Sequence, residues 1–74
     1  MDYYNEDALR AEIARNHLTA QKTADLIGVS RRQFFIKLKN GNWRLSEVYR
    51  LTKLLNLDAQ RFNEVFFYPE SHTI

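Results

Sequence analysis

The sequence predicts an all-α fold, a compact bundle of about five short helices in which helices 2 and 3 form a helix-turn-helix. Three observations carry that expectation. Cap-forming residues followed by apolar residues at three- and four-residue spacing recur along the chain. No segment of four or more residues alternates cleanly with a period of two between turn residues, the aromatic run from Val65 to Tyr68 being the one ambiguous stretch. The 74 residues contain no cysteine, two glycines and one proline. Disulfides and cysteine-based zinc sites are therefore unavailable, and stability has to come from packing, which can include packing against a second copy. The expected organisation is a single domain over residues 1–74, with a core at about 5–67 and a tail at 68–74.

Each helix has its own start and stop. Asn5 caps the first, whose opening turn is acidic through Glu6 and Asp7 and whose buried side carries Leu9, Ile13 and Leu18; it ends near Asn16-His17. Thr19 caps a second helix of about two turns, with Ala20, Ala24 and Ile27 at helical spacing before Gly28 stops it. Ser30 with Gln33 has capping-box spacing, so a third helix runs from Arg31 to about Lys39 and stops at Asn40-Gly41. Ser46 is expected to cap a fourth, with Val48, Leu51, Leu54 and Leu55 as its stripe. Asp58 caps a fifth, turning Phe62, Val65 and Phe66 inward, and Pro69 prevents much continuation.

The formal net charge of +2 says little about partners, but its distribution says more. Residues 28–53 carry +6, and the rest of the chain carries −4. A basic middle between acidic ends can orient a protein on a polyanion. Solvated helix faces explain most charged stretches equally well, so the deciding question is whether the basic residues sit on an element shaped to enter a groove. The longest apolar run, Val65-Phe66-Phe67-Tyr68, is far too short to span a bilayer. The acidic start of the chain is unlike a secretory signal. A cytoplasmic protein with no membrane partner is the expectation, in a bacterial host cell and in association with the nucleoid.

The informative stretch runs from Thr19 to Asn40. Ala24 is small where two steeply crossing helices approach, Gly28 follows four residues later where the chain leaves the first helix, and Val29 buries in the elbow. Ser30 caps the next helix, which Phe34 and Leu38 fix to the core. Over about residues 5–67 the chain resembles the Cro and CI class of phage repressors, the lambda-repressor-like or Xre-type helix-turn-helix domains, which usually carry an aliphatic residue, and so a thicker core, at the place of Thr23. The matching residues are Leu18-Thr19, Ala24, Ile27-Gly28-Val29-Ser30, Phe34, Leu38, Leu45-Ser46-Glu47-Val48 and Leu54-Leu55-Asn56-Leu57-Asp58. The glutamine that such domains carry at the first position of the leading helix is here one residue later, at Gln21. The resemblance implies a helical bundle that binds double-stranded DNA, commonly as a homodimer on a roughly palindromic operator.

On a helical wheel, Phe34 and Leu38 of the third helix face the core while Arg32, Gln33, Ile36 and Lys39 lie on or beside the opposite side. The base-reading set is therefore Arg31, Arg32, Gln33 and Ile36, since arginine can bridge guanine O6 and N7. An arginine just inside a helix also serves as a phosphate clamp, and Ile36 fits either a thymine methyl or a neighbouring segment. Phe35 flanks the core stripe, a position more often core than contact. Gln21, Lys22, Ser30, Lys37, Lys39, Asn42 and Arg44 form the expected phosphate-contacting set. Trp43 covers the edge of the core, and Tyr3 and Tyr4 carry no signal. Phe66, Phe67 and Tyr68 offer more aromatic surface than one helix end hides; part of it can pack under the first helix, and the rest marks a candidate dimer seam.

Two other function classes remain to be weighed. Catalysis lacks a constellation: His17 and His72 have no ligand-like spacing, and no nucleophile–base arrangement is present. The chain is expected to be neither an enzyme nor a binder of metal, cofactor or small molecule. The stronger rival is a helix-turn-helix module that binds another protein, of the antirepressor or toxin-partner type, and does not touch DNA itself. The basic residues on the third helix favour DNA; Phe35, Ile36 and the aromatic tail favour a protein.

Overall fold

The computed structural model describes residues 4–67. These form five helices and no strand: α1 (Glu6–Arg15), α2 (Ala20–Ile27), α3 (Arg31–Asn40), α4 (Leu45–Leu55) and α5 (Ala59–Phe66). Tyr3, Tyr68, Pro69 and His72 lie outside the described residues.

Local chemistry sets most of the boundaries. The side chains of Asn5, Thr19, Ser30 and Asp58 accept hydrogen bonds from the backbone N–H groups of Ala8, Lys22, Gln33 and Arg61, which satisfies donors that a helix start leaves open. At the far ends, Gly28 (φ +77°) and Gly41 (φ +76°) take the left-handed conformation that glycine adopts without steric cost. Asn56 does the same after α4 at φ +53°.

The start of α4 departs from the sequence expectation. Ser46 does not cap it, because the helix already begins at Leu45 and Ser46 lies inside its first turn. The carboxylate of Glu47 reaches back instead and accepts the backbone N–H of Arg44 at 2.8 Å. That is the reciprocal half of a capping box, working here without a cap-forming side chain at the first position.

Leu9, Ile13, Ala24, Ile27, Phe34, Leu38, Leu51, Leu55, Val65 and Phe66 make up the core, edged by Trp43 and Leu57. Trp43 sits edge-on to Phe34, with ring centroids 5.4 Å apart. Thr23 is fully buried, and its hydroxyl donates to the carbonyl of Thr19 at 2.8 Å. The buried polar atom is thereby satisfied. Leu18, Ala20, Val29, Val48, Leu54 and Phe62 are half-buried against this centre. Helix α2 packs on α3 and α4, and α1 packs on α5. Helices α4 and α5 thus hold other partners, and an apolar groove of about 400 Å³ lies between them, lined by Leu45, Val48, Tyr49, Thr52 and Phe62.

Tyr4 does more than the sequence indicated. Its hydroxyl donates to the carbonyl of Leu38 at 2.7 Å, which satisfies an acceptor in the last turn of α3. Its ring covers Gly41, where an added Cβ would lie 2.7 Å from the ring. Burial pushes the Tyr4 hydroxyl up to about 12, the Trp43 indole acting in the opposite direction.

Candidate nucleic-acid interface

Helices α2 and α3 follow each other across the turn Gly28–Ser30 and pack together, the arrangement expected of a helix-turn-helix. Two observations show what holds them. Val29 N–H donates to the carbonyl of Ala24 at 3.0 Å, closing the turn. The guanidinium of Arg50 on α4 donates to the carbonyl of Ile27 at 3.0 Å, closing the end of α2 from a third helix.

Phe34 and Leu38 anchor one side of α3 with no exposed surface. The opposite side carries Arg32, Ile36 and Asn40 in a stripe at four-residue intervals, with Gln33 and Lys39 beside it, all exposed. Ile36 is 44% exposed, so no neighbouring segment among the described residues buries it. Phe35 departs from expectation: it is 40% exposed, its ring standing edge-on to Phe34 at 6.3 Å between centroids. The wheel position of Phe35 lies about 100° from Phe34, enough to carry it off the buried stripe. Asn40, which the sequence marked only as a helix end, accepts the backbone N–H of Asn42 at 2.9 Å and so shapes the exit from α3.

The two arginines differ. Arg31 bridges to Asp25 on α2 at 3.1 Å, and that hydrogen bond is the main cause holding the Asp25 carboxyl below its ordinary range. Both partners are largely solvated, so the pair orients the guanidinium more than it stabilises the fold. Arg32 has no hydrogen-bond or ion-pair partner among the described residues.

The expected phosphate-contacting residues divide in the same way. Gln21, Lys22 and Ser30 sit at helix starts, and Lys39, Asn42 and Arg44 surround the exit from α3, all six exposed. Lys37 is placed elsewhere. Its ammonium pairs with Glu47 at 2.5 Å, and the two side chains keep only 15% and 9% of their exposure. Burial acts to raise the Glu47 carboxyl, but the Lys37 ammonium and the Arg44 N–H outweigh it and leave it below its ordinary value. Lys37 therefore fastens α3 to the start of α4 and does not present its charge on the open face.

The expected dimer seam also divides. Phe66 is 1% exposed and belongs to the core, packed on Phe62 and Tyr4, which corrects its assignment to a seam. Phe67 is exposed and rests on the Phe62 ring at 5.6 Å. Tyr68 is outside the described residues. Three of the six exposed large apolar side chains among the described residues, Leu45, Tyr49 and Phe67, border the α4–α5 groove, and Leu26, Phe35 and Ile36 lie on α2 and α3. The sequence held a signal for the groove-side set: Leu45 and Tyr49 are four residues apart on α4, off the stripe formed by Leu51 and Leu55.

Among the described residues, no helix is long and apolar enough to cross a membrane, and no group of three or more histidine or acidic side chains is gathered to hold a metal. No family model, curated protein or solved structure matches the chain.

Proposed function

We propose that this chain is a sequence-specific double-stranded-DNA-binding transcriptional regulator, a small Cro-like repressor of phage type that reads the major groove with α3. The observation that carries the reading is the outer face of α3. Arg32, Gln33, Ile36 and Lys39 are exposed together on a helix whose inner face is locked by Phe34 and Leu38. A helix of this kind fits the major groove, with its amino-terminal residues toward the base edges. Arg32, whose side chain has no partner among the described residues, is the guanine reader. Arg31, drawn toward α2 by Asp25, is the phosphate clamp at the groove edge. Gln21 and Lys22 at the start of α2 and Lys39, Asn42 and Arg44 after α3 would meet phosphates on either side of the groove.

A homodimer completes the proposal. The α4–α5 groove and the exposed Leu45, Tyr49 and Phe67 occupy one surface, so groove and protruding side chains of one copy can engage those of another about a twofold axis. That surface begins one residue after Arg44, at the edge of the proposed DNA face. On a palindromic site the two α3 helices of such a dimer would have to lie about one DNA turn (~34 Å) apart.

Titration of labelled random duplex with the wild-type protein and the Arg31→Ala, Arg32→Ala double variant tests the central claim. Salt-dependent binding by the wild type and its loss in the variant are expected. A wild-type protein that ignores duplex and captures a protein partner through Phe35 and Ile36 would overturn it.

A further inference from the structure

We propose that Ile36 reads the C5-methyl group of a pyrimidine, and that each half-site sets a thymine one or two base pairs from a guanine held by Arg32. This rests on the DNA-binding reading above and gives that face its sequence content.

Ile36 is an exposed aliphatic side chain at the centre of a polar surface. Arg32 precedes it by one helical repeat, Asn40 follows by another, and Gln33 and Lys39 flank it. Phe35, the other exposed apolar group of α3, is turned away by about 100° and leans on Phe34, so it does not extend Ile36 into an apolar patch. One aliphatic group ringed by polar side chains has too little surface to seat a protein partner. It matches a single methyl group. In the major groove the apolar group presented at a base edge is the thymine C5-methyl, beside the acceptors and donors that the polar neighbours can engage.

Spacing sets the register. Four residues of α-helix advance about 6 Å along its axis, against about 3.4 Å between successive bases on a strand. The helix lies obliquely in the groove and the arginine side chain is long, so Arg32 and Ile36 reach bases one or two pairs apart. Arg31 is drawn toward α2 by its bond to Asp25, which leaves Arg32 as the partner assigned to this pairing.

The test uses the full chain and a duplex selected by it from a random pool. Deoxyuridine replaces each thymine in turn, removing one methyl and leaving the hydrogen-bonding edges intact. One position per half-site is expected to lose about fourfold in affinity, the size of one methyl group withdrawn from contact. A 5-methylcytosine there should bind better than cytosine by a similar factor. In Ile36→Ser, whose substitution is on the surface and whose helix content is checked by circular dichroism, both effects should vanish. Binding that is indifferent to uridine at every position overturns the inference and leaves the proposed function standing, as does a methyl effect that persists in Ile36→Ser. Failure to bind any duplex overturns both.

Discussion

The guanidinium of Arg50 donates to the backbone carbonyl of Ile27, joining the middle of α4 to the last residue of α2. A positive charge at a helix carboxyl end also complements the helix dipole. Arg50 counts toward the basic middle of the sequence, yet its guanidinium is engaged by the fold. Arg50→Ala should lower unfolding stability by ~1–2 kcal/mol, the scale of a partly buried hydrogen bond from a charged donor. Urea denaturation measures this, and a midpoint equal to that of the wild type would contradict the assignment.

Lys37 and Lys39 stand two residues apart and should behave differently. Each phosphate neutralised contributes about 0.9 to the slope of log affinity against log salt. Lys39→Ala and Arg44→Ala should each reduce that slope by about one contact. Lys37→Ala should leave the slope unchanged and destabilise the fold, because its ammonium is spent on Glu47. Filter binding over a salt series, alongside thermal melts, separates the two roles.

The same pair makes stability depend on pH in one direction. The Glu47 carboxyl is held below its ordinary value of 4.5 in the folded state. Its stabilisation is therefore complete above that value and is lost as pH falls through the lower, folded-state one. Glu47→Gln removes the charge but keeps an acceptor for the Arg44 N–H. Its stability should fall less steeply than that of the wild type below pH 4.5, as measured by urea unfolding at several acidic pH values.

Tyr4 supplies a spectroscopic signature. Its hydroxyl is pushed up to about 12 by burial, so the neutral form is favoured by folding. The corresponding stability is present at neutral pH and is lost as alkaline pH rises through that value. Ultraviolet titration should show one tyrosine that ionises last, absent in Tyr4→Phe. Gly41→Ala should cost more than ~2 kcal/mol, combining a left-handed backbone that alanine resists with displacement of the Tyr4 ring.

Leu45 is 86% exposed and Tyr49 is 62% exposed, so charge at either position should spare the monomer. Leu45→Asp with Tyr49→Asp is expected to shift sedimentation from dimer to monomer and to weaken operator binding without changing the circular dichroism spectrum. A wild-type protein that sediments as a monomer with and without operator would remove the dimer from the proposal.

Local chemistry was readable in the sequence, and long-range chemistry was not. Asn5, Thr19, Ser30 and Asp58 cap their helices because the groups they bond lie three residues away. Ser46 failed as a cap because Glu47 fixed the helix start from inside, a choice that the spacing Arg44 to Glu47 encodes more weakly than a serine does. The fate of Lys37 depends on a carboxylate ten residues away, and that of Arg50 on a carbonyl 23 residues away. Neither distance leaves a periodic mark. Phe66 reads as inward on the fifth helix and also as part of a surplus of aromatic surface, because nothing local shows that Tyr4 and Phe62 enclose it. The exposure of Ile36 was legible only as one of two alternatives, since a helical wheel gives a direction and not what stands there.

The backbone N–H of Asn5 donates to the carbonyl of Val65 at 2.8 Å. The first and last helices of the bundle are thus stitched main chain to main chain, and the path from α1 through α5 returns to where it began. Topologically the fold is close to a ring with one nick. The order in which its helices are threaded could be changed by joining α5 to α1 there and opening a connection elsewhere. Opened within the exit loop of α3, such a permutant would lose the covalent restraint on the proposed reading head and keep the cradle beneath it.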